Sequence, residues 1–260
     1  MKVLPSSTAL PCALRYKMRQ SGIGIGIYFA FFIGLGVLAP LIVVAALQST
    51  QGQGTFGGTD VIFSSMIFVG ILAGVSSSSD FKFFIQNGFS RGKIVWISIL
   101  SIAIVSVAQG LIITALALIV NNVFPTLYSV EVLFATSYAY GGFGVMVPTS
   151  HFFLIWFLSA VMLFLASSIG LLIGIFLDRT GTVVRLIVCA TVIVVVPLLI
   201  SIFQFLPMWW KAFFGRLVGF GENGHMTPWP FAATLLVISA LVCAGAALLN
   251  RRREIKRVNA

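Results

Sequence analysis

The sequence predicts an all-α membrane protein with six transmembrane helices, and three observations support this fold class. Of its 260 residues, 59% are hydrophobic and only 8% are charged, against about 25% charged residues in an average soluble domain. The apolar residues are gathered in long runs, which is typical of membrane-spanning helices. The basic residues fall almost entirely on one side of those runs, as they do in multi-pass membrane proteins.

The six predicted spans follow from their length. A helix rising about 1.5 Å per residue needs roughly 20 apolar residues to cross about 30 Å of hydrocarbon. Five runs meet this length as they stand. The second meets it only if the serines up to Ser78 extend it, which their hydroxyls allow by bonding to a carbonyl one turn earlier. The runs are residues 23–47, 61–75, 94–120, 152–177, 183–205 and 231–249.

The distribution of basic residues predicts the orientation. Fourteen of the sixteen Lys and Arg residues lie in the N-terminal segment, the second-to-third and fourth-to-fifth connections and the C-terminal tail, whereas Lys211 and Arg216 lie on the other side. Since Lys and Arg concentrate in cytoplasmic loops, both termini are predicted to be cytoplasmic, with the protein in the cell membrane. The net charge of +10 suits the anionic inner leaflet, and no folded basic domain indicates a nucleic-acid partner.

The chain is predicted to form one transmembrane domain over residues 1–260, with accessory segments. Residues 1–22 form a basic interfacial lead, and residues 250–260 form a basic cytoplasmic tail. Residues 206–230, between the fifth and sixth spans, form an outer segment whose apolar pieces are too short to cross the hydrocarbon. A re-entrant or interfacial placement is therefore expected for that segment.

A short charged stretch, residues 80–93 (DFKFFIQNGFSRGK), lies between two long apolar runs and is predicted to be a cytoplasmic connection. Its apolar residues recur at helical spacing, which predicts a separate short amphipathic helix between the second and third spans. Asp80 is the expected N-cap, and Asn87 with Gly88 the expected end. The apolar face consists of Phe81, Phe84, Ile85, Gly88 and Phe89. Such a helix lies along a membrane or docks a partner.

Small residues four positions apart mark the expected helix–helix contacts, since they let two backbones approach closely. The three pairs are Gly70 with Gly74, Ser106 with Gly110, and Gly170 with Gly174. Gln109, next to the second pair and near mid-membrane, is expected to hydrogen-bond a neighbouring helix, because an unsatisfied amide in hydrocarbon is costly. A place in a transport path is the alternative for this side chain.

No pattern in the sequence predicts an enzyme, a cofactor site or a metal site. Residues 88–94 (GFSRGKI) are one residue too short for the phosphate-binding GxxxxGK motif and lack its final Ser or Thr, so the chain is not expected to hydrolyse ATP. Three cysteines predict no disulfide or metal framework. Ion coupling through a buried carboxylate is not expected, because every acid lies in a predicted loop or at a span end. The acids are Asp60, Asp80, Glu131, Asp178, Glu222 and Glu254.

This layout resembles the membrane subunits of ABC-2 type transporters, the permease half of ATP-driven exporters. The likeness rests on the basic lead up to Arg19, the inner stretch DFKFFIQNGFSRGKI and the outer segment 206–230. The resemblance implies that the inner stretch is a coupling helix seated in a groove of a separate ATPase subunit, and that short re-entrant helices lie in the outer segment. It implies ATPase contacts at Phe81, Lys82, Phe83, Phe84, Asn87, Gly88 and Arg91.

The function expected from this resemblance is ATP-driven export of a hydrophobic or amphipathic substrate. The permease would act with a second copy or a paralogue facing it in the bilayer, and with energy from the ATPase subunit. Two other functions stay open. A stand-alone secondary carrier or channel would transport when reconstituted alone, and a non-transporting membrane adaptor or immunity protein would act without any ATPase.

Overall fold

Long apolar helices dominate the structure of the protein. It is a computed structural model that describes residues 6–34, 56–123, 128–131, 151–180, 208–217, 219 and 227–251. In chain order the elements are α1 Ser6–Phe31, β1 Phe56–Asp60, α2 Val61–Gln86, α3 Arg91–Val123, β2 Tyr128–Glu131, α4 Phe152–Arg179, α5 Met208–Leu217 and α6 Pro228–Arg251. Of the described helices, α2, α3, α4 and α6 are long and apolar enough to cross a membrane. A helical, multi-pass membrane protein is therefore confirmed.

These four helices correspond to the second, third, fourth and sixth predicted spans. The second reaches spanning length through its serines, as expected. Ser76 and Ser79 donate their hydroxyl hydrogens to carbonyls three residues earlier, at 3.3 Å and 3.1 Å, so the polar run stays helical. The fifth predicted span, 183–205, and most of the first, 23–47, lie outside the described residues. The count of six spans stays a prediction.

The first helix, α1, runs without a break from the predicted lead into the start of the first predicted span. It packs on α2 through Tyr28, whose ring stacks on Phe68 with a centroid separation of 4.6 Å. The Tyr28 hydroxyl also lies 2.8 Å from the Ser64 hydroxyl and 2.9 Å from that of Ser65. The hydroxyl of a partly buried tyrosine usually finds such partners. The N-terminal helix is therefore part of the bundle.

Helices α2 and α4 cross at glycines, which permit a close approach of the two backbones. A Cβ placed on Gly70 would lie 3.3 Å from the Ala166 carbonyl oxygen, and one on Gly74 would lie 3.0 Å from the Gly170 carbonyl oxygen. From the other side, a Cβ on Gly170 or Gly174 would overlap the backbone of α2. The structure thus brings both predicted glycine pairs into one helix–helix seam.

The third predicted pair lies where α3 crosses α4. A Cβ on Gly110 would lie 3.0 Å from the Ala160 backbone nitrogen, and the hydroxyls of Ser106 and Ser167 are 3.5 Å apart. Helix α4 also packs on α6, so it lies at the centre of the described helices. Its central position explains why many of its side chains, including Leu158 and Leu163, are fully buried.

Two features lie outside the four-helix core. The short strands β1 and β2 pair in parallel, with Phe56 opposite Tyr128 and Asp60 opposite Glu131, in segments that the sequence predicts as outer loops. Helix α5 has ten residues, or about 15 Å of length, which is too short to cross a bilayer. It is tied to α6, because Thr234 donates its hydroxyl hydrogen to the Leu217 carbonyl oxygen at 2.7 Å.

Candidate functional site

The ends of α2 and α6 meet the start of α3 at one end of the bundle, which we call the basic end. The Arg91 guanidinium donates from Nη1 to the carbonyl oxygen of Arg251 at 3.1 Å. The Asn250 amide donates in return to the carbonyl oxygen of Arg91 at 3.0 Å. These two bonds tie the α2–α3 turn to the last turn of α6.

Positive side chains surround this end. The exposed ones are Arg15, Arg19, Lys82, Arg91, Lys93 and Arg251. The two acids described near them are withdrawn from the surface, since Asp80 is buried and Asp178 is half-buried. The described surface of the basic end is therefore positive, as the clustering of Lys and Arg in the sequence predicts. Its cytoplasmic location remains a prediction based on this charge bias.

The separate short helix predicted for residues 80–93 is not what the structure shows. Helix α2 continues through Asp80 to Gln86, a turn follows, and α3 begins at Arg91. Asp80 is consequently not an N-cap. The helix continues because the serines before Asp80 bond within it and because the Asp80 carboxylate has a charged partner on α1, described below.

The predicted end of this helix is confirmed at Asn87 and Gly88. The Asn87 side-chain amide donates to the Phe83 carbonyl oxygen at 2.8 Å, and Gly88 has φ of +80°. The Gly88 N–H donates to the Ile85 carbonyl oxygen at 3.0 Å. A left-handed glycine just after the last helical turn is a standard way to satisfy terminal carbonyls, so the turn has a defined shape.

Two of the predicted ATPase contacts are buried inside the protein. Phe81 and Phe84 are only 2% and 1% exposed, and they pack in a cluster with Ala13, Ile94 and Ile97. Their predicted role as direct contacts is corrected, because an external partner cannot reach either ring in this arrangement. The two rings instead anchor the end of α2 to α1 and α3.

The other predicted contacts lie at the surface. Lys82, Asn87, Gly88 and Arg91 are exposed, and Phe83 is 40% exposed. The Phe83 ring stacks on Tyr16 of α1 with a centroid separation of 4.6 Å and an interplanar angle of 18°. This stack explains the position of Phe83 outside the apolar stripe, because the ring points toward α1 and leaves part of its surface uncovered.

A buried ion pair lies directly beneath this surface. The Lys17 ammonium is 3.0 Å from Oδ2 of Asp80 and donates to the Ser98 hydroxyl at 2.8 Å. Lys17 is 3% exposed and Asp80 is 2% exposed. The three residues come from α1, α2 and α3, so one charged cluster joins three helices.

The ion pair changes the electrostatics expected from the sequence. Burial lowers the pKa of the Lys17 ammonium, and the adjacent Asp80 carboxylate opposes part of that shift. Desolvation of two charges is costly, and a buried pair is favourable only in good geometry with further hydrogen bonds, such as the one to Ser98. Asp80 lies near the end of α2, which agrees with the predicted position of the acids at loops or span ends, but its burial was not predicted.

Sequence reasoning missed this pair for an identifiable reason. Lys17 lies among exposed basic residues, and Asp80 follows a serine run that resembles a helix boundary. The sequence contains one hint, since Lys17 lies four residues after the apolar Ala13 and so shares a helix face with it. In the structure Ala13 is buried, and Lys17 with it. The partner 63 positions away requires the tertiary structure.

A groove of about 660 Å³ runs between α2 and α4 along their glycine seam. Its walls are apolar side chains such as Ile67, Ile71 and Ile173. Its polar residues lie at the basic end, where Ser78 donates its hydroxyl hydrogen to Oδ1 of Asp178 at 2.8 Å. The groove can accommodate hydrocarbon over most of its length.

Polar side chains are also buried in the bundle interior. Ser167 and Ser168 of α4 donate to carbonyls four residues earlier at 2.8 Å and 2.7 Å, which satisfies each hydroxyl within its own helix. Gln109 and Ser159 differ. Both are fully buried, and within the described part of the chain neither amide atom of Gln109 nor the Ser159 hydroxyl has a hydrogen-bond partner. The predicted bond from Gln109 to a neighbouring helix is therefore not formed with any of the described helices.

These arrangements anchor the described helices to one another. Within the described ranges, no group of three His, Cys, Asp or Glu side chains is placed to hold a metal ion. The described acids at the basic end, Asp80 and Asp178, are engaged with Lys17 and Ser78 respectively. Comparison of the chain with models of protein families, with curated proteins and with solved structures finds no match.

Proposed function

We propose that this chain is the membrane-spanning permease subunit of an ATP-driven exporter of the ABC-2 type, working with a separate ATPase subunit. The observation that supports this best is the basic end. There, an exposed positive turn of defined shape is fixed to a buried base, by which we mean the apolar cluster and the ion pair that α1, α2 and α3 form together. In this proposal Lys82, Phe83, Asn87, Gly88 and Arg91 contact the ATPase, while Phe81 and Phe84 hold the turn in place.

The base explains how force would reach the membrane helices. Rings buried against α1 and α3 cannot move independently of them, and the Lys17–Asp80 pair adds a polar link between α1 and α2. The Arg91 and Asn250 bonds extend the connection to α6. Displacement of the turn by a closing ATPase would therefore move several helices together, as in rigid-body switching.

The proposed cargo is hydrophobic or amphipathic. The groove between α2 and α4 supports this choice, since it is apolar except at the end occupied by Ser78 and Asp178. Alternating access requires a facing surface, so a second permease copy or a paralogue completes the proposed transporter. The chain itself is proposed to have no ATPase activity.

The proposal is tested by purification in mild detergent from cells that supply the ATPase. We expect a nucleotide-hydrolysing protein to copurify, and K82E or F83A to reduce that recovery at least tenfold without changing the yield of folded permease. R216E and F153A are the matched controls, because Arg216 and Phe153 are exposed near the opposite end of the helices. Recovery equal in K82E and R216E would contradict the proposed surface.

A proton- or cation-coupled carrier is the second candidate, and the buried Lys17–Asp80 pair favours it. Ionisable residues buried in membrane proteins commonly mark ion pathways. This function predicts transport by the purified chain alone in proteoliposomes, driven by a pH gradient and abolished in D80N. Transport that requires added ATPase and ATP would exclude it.

A further inference from the structure

The seam between α3 and α4 contains an unusual combination of close packing and unsatisfied polarity. Gly110 lies against the Ala160 backbone, with a hypothetical Cβ 3.1 Å from the Ala160 Cα. Gln109 and Ser159 precede these two residues on their helices. Both are fully buried, and neither has a hydrogen bond among the residues that the structure describes. Two buried polar residues are therefore the chain neighbours of a close contact between the two helices.

The neighbouring hydroxyls show that this lack of partners is not the rule along the same helices. Thr114 donates to the Gly110 carbonyl oxygen at 2.9 Å, and Ser167 donates to the Leu163 carbonyl oxygen at 2.8 Å. Each hydroxyl is satisfied by the turn before it. An amide buried without partners penalises the packed arrangement, whereas an apolar side chain of the same size would not.

At the crossing itself the two helices meet through small residues, and glycine against alanine presents smooth surfaces. Larger apolar side chains of both helices pack in one buried cluster. The polar links are one bond from the Trp156 indole N–H to the Val107 carbonyl oxygen at 3.1 Å and the 3.5 Å approach of Ser106 to Ser167. Small helix displacements would break both.

We propose that the α3–α4 seam is a two-state element and that the structure shows its closed state. In the open state the helices separate beside Gly110, and the Gln109 amide and the Ser159 hydroxyl gain hydrogen-bond partners. Gln109 is then a conformational control residue that destabilises the closed state and so sets the population of the open one. This inference does not depend on the nature of the energy source.

The test measures opening as chemical access to position 159. The full chain carries S159C in a background in which Cys12, Cys189 and Cys243 are alanine, and its rate of reaction with N-ethylmaleimide is followed in detergent. When closing is fast, this rate reports the population of the open state. L163C is the matched control, because Leu163 is also fully buried and lies one turn further along α4.

We expect S159C to react at least about tenfold faster than L163C, and Q109M to slow S159C about tenfold while leaving L163C unchanged. Q109M and, separately, S159A should also raise the midpoint of thermal unfolding by several degrees. Equal rates at the two cysteines would overturn the proposal. So would a Q109M protein that unfolds at lower temperature or fails to fold, because Gln109 would then stabilise the closed state.

Discussion

At the scale of single residues, the Lys17–Asp80 pair is the feature with the largest energetic consequence. Both charges are removed from solvent, and each compensates the other at 3.0 Å. Loss of one partner leaves an uncompensated buried charge, whereas loss of both leaves a site that apolar side chains can fill. The same pair therefore predicts opposite effects for single and double substitutions.

We expect K17M and D80L each to destabilise the protein by about 3–5 kcal/mol, and the double variant K17M/D80L to be neutral or more stable by about 1–4 kcal/mol. The measurement is thermal unfolding of the four proteins in the same detergent. Lys82, an exposed lysine near the pair, provides the control, because K82M should change the midpoint of thermal unfolding little. Additive losses in the double variant would contradict a buried, mutually compensated pair.

Local and long-range features differ in how far the sequence predicts them. Asn87 and Gly88 are predicted correctly as a helix end, because a terminal amide and a left-handed glycine act within a few residues of each other. Asp80 is predicted wrongly as an N-cap, because its state depends on Lys17, which the sequence places in another segment. Burial of Phe81 and Phe84 likewise depends on residues from α1 and α3.

At the scale of helices, glycine seams determine which elements pack closely. The backbone contact at Gly70, Gly74, Gly170 and Gly174 joins α2 to α4 without intervening side chains. Small-residue spacing in the sequence predicts that such contacts exist, but it does not identify the partner helix. The pairing of Gly70 with Ala166, and of Gly74 with Gly170, becomes known only from the structure.

We expect G170A to destabilise the protein by about 1–3 kcal/mol, because the added methyl group overlaps the α2 backbone at Gly70. G22A is the matched control: Gly22 is also helical, and a Cβ there meets no atom within 4 Å. That change should stabilise α1 by about 0.5–1 kcal/mol through helix propensity. Thermal unfolding of both variants distinguishes steric overlap with the α2 backbone from a general effect of replacing glycine. Equal shifts of the unfolding midpoint in the two variants would argue against the close contact at Gly170.

At the scale of the whole molecule, the charge distribution matches the geometry of the bundle. The exposed basic residues of α1, α2, α3 and α6 lie at one end, although they come from distant parts of the sequence. The described part of α5, with Arg216, lies beside the first half of α6 at the other end. The length of the apolar runs and the bias of Lys and Arg toward one side suffice to predict this arrangement. The bilayer imposes both, so neither requires knowledge of particular helix–helix contacts.

We expect the basic end to face the cytoplasm. In a cysteine-free background, G92C should react with a membrane-impermeant maleimide in inside-out vesicles and not in intact cells, and T227C should show the opposite pattern. Both positions are exposed, and they lie at opposite ends of the bundle. Labelling of G92C in intact cells would reverse the orientation and remove the proposed ATPase surface from the compartment that contains ATP.

The bonds between Arg91 and the last turn of α6 have a consequence for biogenesis. They join residues 160 and 159 positions apart, so they form only after α6 has left the ribosome and entered the bilayer. A nascent chain stalled before α6 lacks this closure and presents an incompletely ordered turn. Recognition of the turn by a partner would therefore discriminate chains that contain α6 from chains truncated before it.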